Sequence, residues 1–205
     1  MASVSQLVRI VADATQAPMA GVKLRARKLL DDNLLPQSRG RQIAEVTSSD
    51  AANLLLAVMA ADRHADASRV VVQRGGLLAN GDGTRPRWLT ASMALAHPLT
   101  LQRFLAAALG KWWTNAEAPQ AALPMSDPLF HVAVELWLSM PAARVTWGDD
   151  VPEEFAPLAF FGSGEPSAQH RAGLMRTCTV FGATLAEIGG RLAVTKAPFA
   201  EAAPE

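Results

Sequence analysis

The stretch VKLRARKLLDDNLLPQSRGR, Val22–Arg41, sets four basic side chains within Lys23–Lys28, then an Asp pair, then Asn-Leu-Leu-Pro and a loop with two arginines about a glycine. Met19, Val22, Ala26, Leu29 and Leu30 fall on one face at helical spacing. At about 100° per residue, Ala20, Lys23, Leu24, Arg27 and Lys28 cover much of the opposite face. Pro18 suits the first turn of a helix. Asn33 suits a left-handed cap at its end, because Asn tolerates positive φ better than most residues. The spacing therefore predicts a helix over 18–32 with one apolar and one basic face.

Working outward, SVSQLVRIVADATQ places Leu7, Ile10, Val11 and Ala14 on one stripe of an earlier helix. Gln16-Ala17-Pro18 ends it. On the other side, Leu34-Leu35 and Ile43–Val46 are expected as two short strands around the polar loop Gln37–Arg41, where Gly40 permits a tight turn. Thr47 and Asp50 form a capping signal ahead of AANLLLAVMAA, which opens a third helix from about 48 to 62.

The first 62 residues thus run helix, short turn, basic helix, hairpin, capped helix, and in this order they resemble the winged helix-turn-helix domain of bacterial and prophage-type transcription regulators. The resemblance covers about residues 4–62. It rests on Ala12 as the small residue of the first helix and Val22 as the apolar anchor ten positions on. Ala26 and Leu29 follow at four and seven beyond that anchor, and Asn33 precedes the wing-opening pair Leu34 and Leu35. Two positions depart from the pattern: Gln16 stands where a turn glycine is common, and Arg25 where an apolar residue is common. The resemblance implies double-stranded DNA as partner, with Ala20, Lys23, Leu24, Arg27 and Lys28 facing the major groove and QSRGR as the wing tip. A major groove admits one helix, and the narrow minor groove attracts arginine, the role expected for Arg39 and Arg41 flanking Gly40. The same basic residues also read as a solvated face, with Arg27–Asp31 and Lys28–Asp32 paired at i, i+4. Gly21 could let the backbone approach phosphate closely, and reads more readily as a tolerated surface glycine.

Further along, ADASRVVVQRGGLL reads as a helix by position, although its three valines would also suit a strand, and NGDGTRPR (80–87) as the best domain boundary. HPLTLQRFLAAALGKWW reads as a helix with Leu101, Leu105 and Leu109 aligned. The period then changes. In LFHVAVELWL, Phe130, Val132, Val134, Leu136 and Leu138 alternate with His131, Ala133, Glu135 and Trp137, as in a strand. ARVTW is its hairpin partner, MRTCTVFG a third strand, ATLAEIGGRLA a closing helix weakened by Gly189-Gly190, and 195–205 a mobile tail. The expected fold class is α+β. Residues 1–80 would hold the winged helix-turn-helix with a following helix, and residues 88–194 an α+β assembly or effector domain with a small antiparallel sheet.

The 205 residues suffice for a sizeable core, and half of them are apolar, which argues against disorder. Residues 1–100 carry 12 Lys+Arg against 8 Asp+Glu, and residues 101–205 carry 7 against 11, so any polyanion partner belongs with the first half. A single cysteine, Cys178, excludes a disulfide framework and Cys-cluster metal sites. No signal sequence or membrane-spanning run is visible, and a cytoplasmic protein is expected. Enzyme chemistry is not expected either. His64, His97, His131 and His170 are dispersed, no Gly-rich stretch matches a phosphate-binding motif, and Asp149-Asp150 and Glu153-Glu154 read as a solvated loop. Trp112-Trp113, Trp137 and Trp147 read as core or dimer contacts. The expectation is a homodimeric, sequence-specific transcriptional regulator without a cofactor. One alternative is a DNA-packaging protein of the terminase small-subunit kind or a nucleoid protein. Another is a protein–protein module that does not bind DNA.

Overall fold

The structure, a computed structural model, describes residues 2–38, 43–78, 100–114, 132–139, 142–147, 159–162 and 176–196. Among the described residues the helices are α1 (Val4–Thr15), α2 (Met19–Asp31), α3 (Ser48–Ala60), α4 (Ala67–Gly75), α5 (Leu101–Thr114) and α6 (Gly182–Lys196), with a 3-10 turn at His64–Asp66. The strands are β1 (Val132–Trp137), β2 (Ala142–Trp147), β3 (Ala159–Gly162) and β4 (Thr177–Phe181). The α+β class is as expected. Arg39, Gly40, Arg41, the 80–87 stretch, His131, the 149–154 carboxylates and everything past 196 lie outside the described residues.

Local chemistry starts and stops the first helices. Ser3 and Gln6 exchange side-chain bonds with each other's backbone N–H at the head of α1. Thr47 and Asp50 do the same at α3, each box satisfying N–H groups that a helix cannot satisfy internally. Helix α1 ends with Gln16 in the left-handed region at φ 54°. Beyond it the Ala17 N–H reaches back to the Ala12 carbonyl at 3.1 Å. Helix α2 ends in the same way. Asn33 has φ 57°, its N–H donates to the Leu30 carbonyl at 3.1 Å, and the Leu34 N–H donates to Leu29 at 2.8 Å. This pair of bonds is the Schellman closure, and Asn33 performs the capping expected of it.

The two strands expected at 34–35 and 43–46 do not form. Residues 34–38 and 43–47 are irregular because their backbone groups are taken elsewhere. The Leu34 carbonyl accepts from the Asn53 side chain at 3.0 Å. The Val46 N–H donates to the Ala2 carbonyl at 3.1 Å, and the Ala44 N–H donates to the Ser38 hydroxyl at 3.1 Å. The loop is therefore closed at its base by a side chain and not by a ladder, and Ile43, 70% exposed, does not join the core.

Helix α3 is the centre of the molecule. Leu54, Leu55, Leu56 and Ala57 are all fully buried, and a helix apolar nearly all round must be covered on nearly every side. Its cover comes from α1, α2, α4 and β4 and, most extensively, from α5. Leu101, Leu105 and Leu109 of α5 are fully buried, as their alignment predicts. Helix α6 continues without interruption through Gly189-Gly190 and packs Leu185, Ile188 and Leu192 against α5 and α1. The buried cluster is one body, from Leu7 through Leu54 to Leu136 and Leu192. The core is thus continuous across the boundary expected at 80–87. An isolated bridge between Leu78 and Thr100 brings the two sides of that stretch together.

The sheet is antiparallel and four-stranded, in the order β3-β2-β1-β4. The sequence had suggested three strands. Strand β3, AFFG, was not foreseen, because four residues ending in glycine show no alternation to detect. Val132, Val134 and Leu136 of β1 face the helices with Val145 of β2 and Val180 of β4. Trp137 breaks the expected alternation, for it is 1% exposed although it faces the other side. There the Arg144 guanidinium stands 5.4 Å from its ring centroid, a cation–π distance.

Candidate nucleic-acid interface

Helix α2 is seated by Val22, Ala26 and Leu29, all nearly inaccessible, against α1 and α3. Arg25, which the helix-turn-helix pattern would make apolar, spans the same side differently. Its Nη2 donates to the Ala61 carbonyl at 2.7 Å and its Nη1 to the Gly21 carbonyl at 3.2 Å. Ala61 follows the last residue of α3, so Arg25 occupies a helix C-terminus, where cations are favoured. Gly21 gains a reason here: a Cβ at that position would meet Arg25 Nη1 at 3.1 Å.

The opposite face of α2 is open. Ala20, Lys23, Leu24 and Arg27 are exposed, and Lys28 is half-buried at its margin. Lys28 makes the i, i+4 pair expected of it, 3.0 Å from Asp32. Arg27 and Asp31 do not pair; among the described residues Lys23, Arg27 and Asp31 enter no ion pair. Two cations on this face thus remain available. Of the eight site residues foreseen, the structure brings five together on one surface. Arg39, Gly40 and Arg41 are the remaining three, outside the described residues.

The far end of α2 is tied to α4. The Ser68 hydroxyl donates to the Lys28 carbonyl at 3.2 Å and lies beside the Asp32 carboxylate. Ser68 first, then Lys28, holds the Asp32 carboxyl below its usual range of about 3.8. Asp32, Leu34, Ser68, Arg69, Val72 and Gln73 line an open pocket of about 570 Å³ at this junction. Arg69 is paired with Asp66 at 2.9 Å. Beyond the Lys28–Asp32 pair this junction was not legible in the sequence, since Ser68 sits 40 positions from Lys28 and carries no motif.

A buried arginine fixes α4 in turn. Arg74 is 8% exposed and donates to the Trp137 carbonyl at 2.8 Å and the Leu138 carbonyl at 3.0 Å. Burial lowers its pKa from the usual arginine value. Burial likewise raises that of the half-buried Cys178 thiol, which leaves it a weak nucleophile. Among the described residues no three His, Cys, Asp or Glu side chains gather as metal ligands, and no helix is long and apolar enough to cross a membrane. Comparison with known protein families, curated proteins and solved structures finds no match to this chain.

Proposed function

We propose that this protein is a sequence-specific, double-stranded DNA-binding transcriptional regulator of the cytoplasm, working as a homodimer and without catalysis or a cofactor of its own. One observation carries the proposal. A helix closed at its C-terminus by the Schellman pair presents Ala20, Lys23, Leu24 and Arg27 outward, and its two unpaired cations, Lys23 and Arg27, stand about one turn apart on that face. In a helix-turn-helix the N-terminal residues of the second helix meet the base edges. Asp31, on the same face, lies about 16 Å along the axis from Ala20 at 1.5 Å per residue, toward the end that lifts away from the groove. Its charge therefore opposes phosphate less than its place on the helical wheel suggests. Lys23 and Arg27 would pair with phosphates or guanine edges, and Leu24 would contact a thymine methyl. Arg39 and Arg41, about Gly40, would follow the flanking backbone or minor groove.

Substitution tests the surface. Lys23→Ala, Arg27→Ala and Arg41→Ala should each weaken binding about tenfold, in line with 1–3 kcal/mol for a lost contact, and leave the circular-dichroism melt unchanged. Three variants that bind as the parent does would remove α2 from the interface. A second possibility has its own observation. Leu24 and Ile43 are 48% and 70% exposed, as on a protein-docking surface. In that case DNA at low salt leaves the diffusion of the protein unchanged, and Leu24→Asp abolishes capture of the protein partner.

A further inference from the structure

We infer that the outer edge of β4 is the seam of the homodimer, joining two four-stranded sheets into one of eight through antiparallel pairing of Thr177–Phe181 with the same strand of a second copy. Strand β4 ends the sheet, and among the described residues no strand lies beyond it. The phase of its ladder is set by one bond, the Leu138 N–H donating to the Arg176 carbonyl at 2.8 Å. That makes Leu138 and Arg176 a hydrogen-bonded pair. By the alternation of antiparallel ladders, Leu136–Cys178 and Val134–Val180 are hydrogen-bonded pairs too, in the observed register. The backbone N–H and C=O groups of Thr177 and Thr179, and the N–H of Phe181, therefore point away from β1, to the open side; the Phe181 carbonyl instead opens α6.

Within Thr177–Phe181 the sequence devices that usually guard an edge are missing, and among the described residues no strand covers it. Natural sheets blunt exposed edges with charges, prolines, bulges or covering elements, whereas Thr-Cys-Thr-Val-Phe has no charge and no proline, and its register runs without a bulge. Phe181 is 60% exposed, and Thr177 and Thr179 lie exposed on the same face. The occupant follows from self-complementarity. A two-fold axis through Thr179 sets Thr179 against its own copy and Thr177 against the partner's Phe181, with all three outward residues paired. Thr–Thr and aromatic–β-branched neighbours are among the favourable cross-strand pairs, and the second of these covers Phe181 twice per dimer.

The seam gives the homodimer of the proposed function its location, and rests on that function only for the two-fold state; DNA binding is measured apart. Sedimentation of the full chain should give twice the 21.8 kDa monomer mass. Thr179→Lys, which sets charge against like charge across the axis, should sediment as a monomer with an unchanged melt. Thr179→Pro should do the same, since its lost N–H faces away from β1 and leaves the ladder whole. In a Cys178→Ser background, Thr179→Cys should cross-link to a covalent dimer under mild oxidant. Paired Cα atoms there would stand about 5.5 Å apart, within disulfide reach. A monomeric parent overturns the seam, as does a dimer that Thr179→Lys leaves intact or that Thr179→Cys fails to cross-link. Anisotropy with labelled duplex on the parent reads the other proposal independently: a cross-linked dimer that ignores DNA would retain the seam and lose the regulator.

Discussion

Gln16 and Asn33 do the work of glycines. Each turns the chain through the left-handed region at the end of a helix, where an L-residue pays roughly 1–2 kcal/mol. Asn33 was legible because Asn is a common occupant of that conformation, while Gln16 read as a departure from the helix-turn-helix pattern. The structure places Gln16 in the left-handed region, where Gln is unusual. Gln16→Gly should therefore raise stability, by up to about 1 kcal/mol, less what is lost with the Gln16 Nε2 bond to the Asp13 carbonyl at 2.6 Å. A lower melting temperature would contradict the left-handed geometry. Arg25, the other departure, was equally opaque in sequence, since its acceptor at Ala61 is 36 positions away. Arg25→Leu restores the apolar residue of the pattern but strands that carbonyl. A loss of about 1–2 kcal/mol in urea unfolding is expected, with DNA affinity unchanged, because the side chain faces away from the open surface.

At the level of elements, alternation and helical spacing were enough to place α1, α2, α3, α5, α6, β1, β2 and β4. They failed where long-range partners decide. The wing strands dissolve because Asn53 and Ala2 claim the backbone groups a ladder would need. Helix α4 is helical by position in the sequence although its valines also suit a strand, and it is fixed by a buried arginine and a close approach. Arg74→Met should cost about 2–4 kcal/mol, because two buried carbonyls lose a charged donor. Gly75→Val should cost about 1–3 kcal/mol by overpacking, since a Cβ there already meets the Gln102 Cβ at 3.1 Å; thermal melts check both. The junction of α2 and α4 also carries a pH signature. With its folded pKa lowered, Asp32 contributes stability above the unfolded value of about 3.8 and loses it as pH falls through the folded value. Asp32→Asn should accordingly melt lower than the parent at pH 7, and the difference should shrink as pH falls below about 3.8 toward the lowered folded value. A gap that does not change with pH in that acid range would assign the effect to something other than the carboxylate.

For the whole molecule, the breaker-rich 80–87 stretch suggested a winged helix-turn-helix over residues 1–80 followed by an assembly or effector domain over 88–194. The core instead runs unbroken from Leu7 to Leu192, with α3 shared between α2 on one side and α5 on the other. Sequence could not show this, because an apolar stripe says that a face is covered and not by what. One consequence is mechanical: α2 and β4 both contact α3, so two copies joined at the free edge of β4 would hold their α2 helices at a fixed separation. Two-fold symmetric half-sites demand such a separation. The most direct test of the central claim is fluorescence anisotropy of the parent protein with a duplex from the upstream region of its own gene. It is titrated at several salt concentrations against a scrambled duplex. Preferential binding whose logarithm falls linearly with the logarithm of salt, with a slope reflecting several phosphates, is the predicted result. Equal binding to both duplexes would replace regulation with packaging or nucleoid binding, and no binding even at low salt would contradict the account, leaving the open face of α2 a solvated surface.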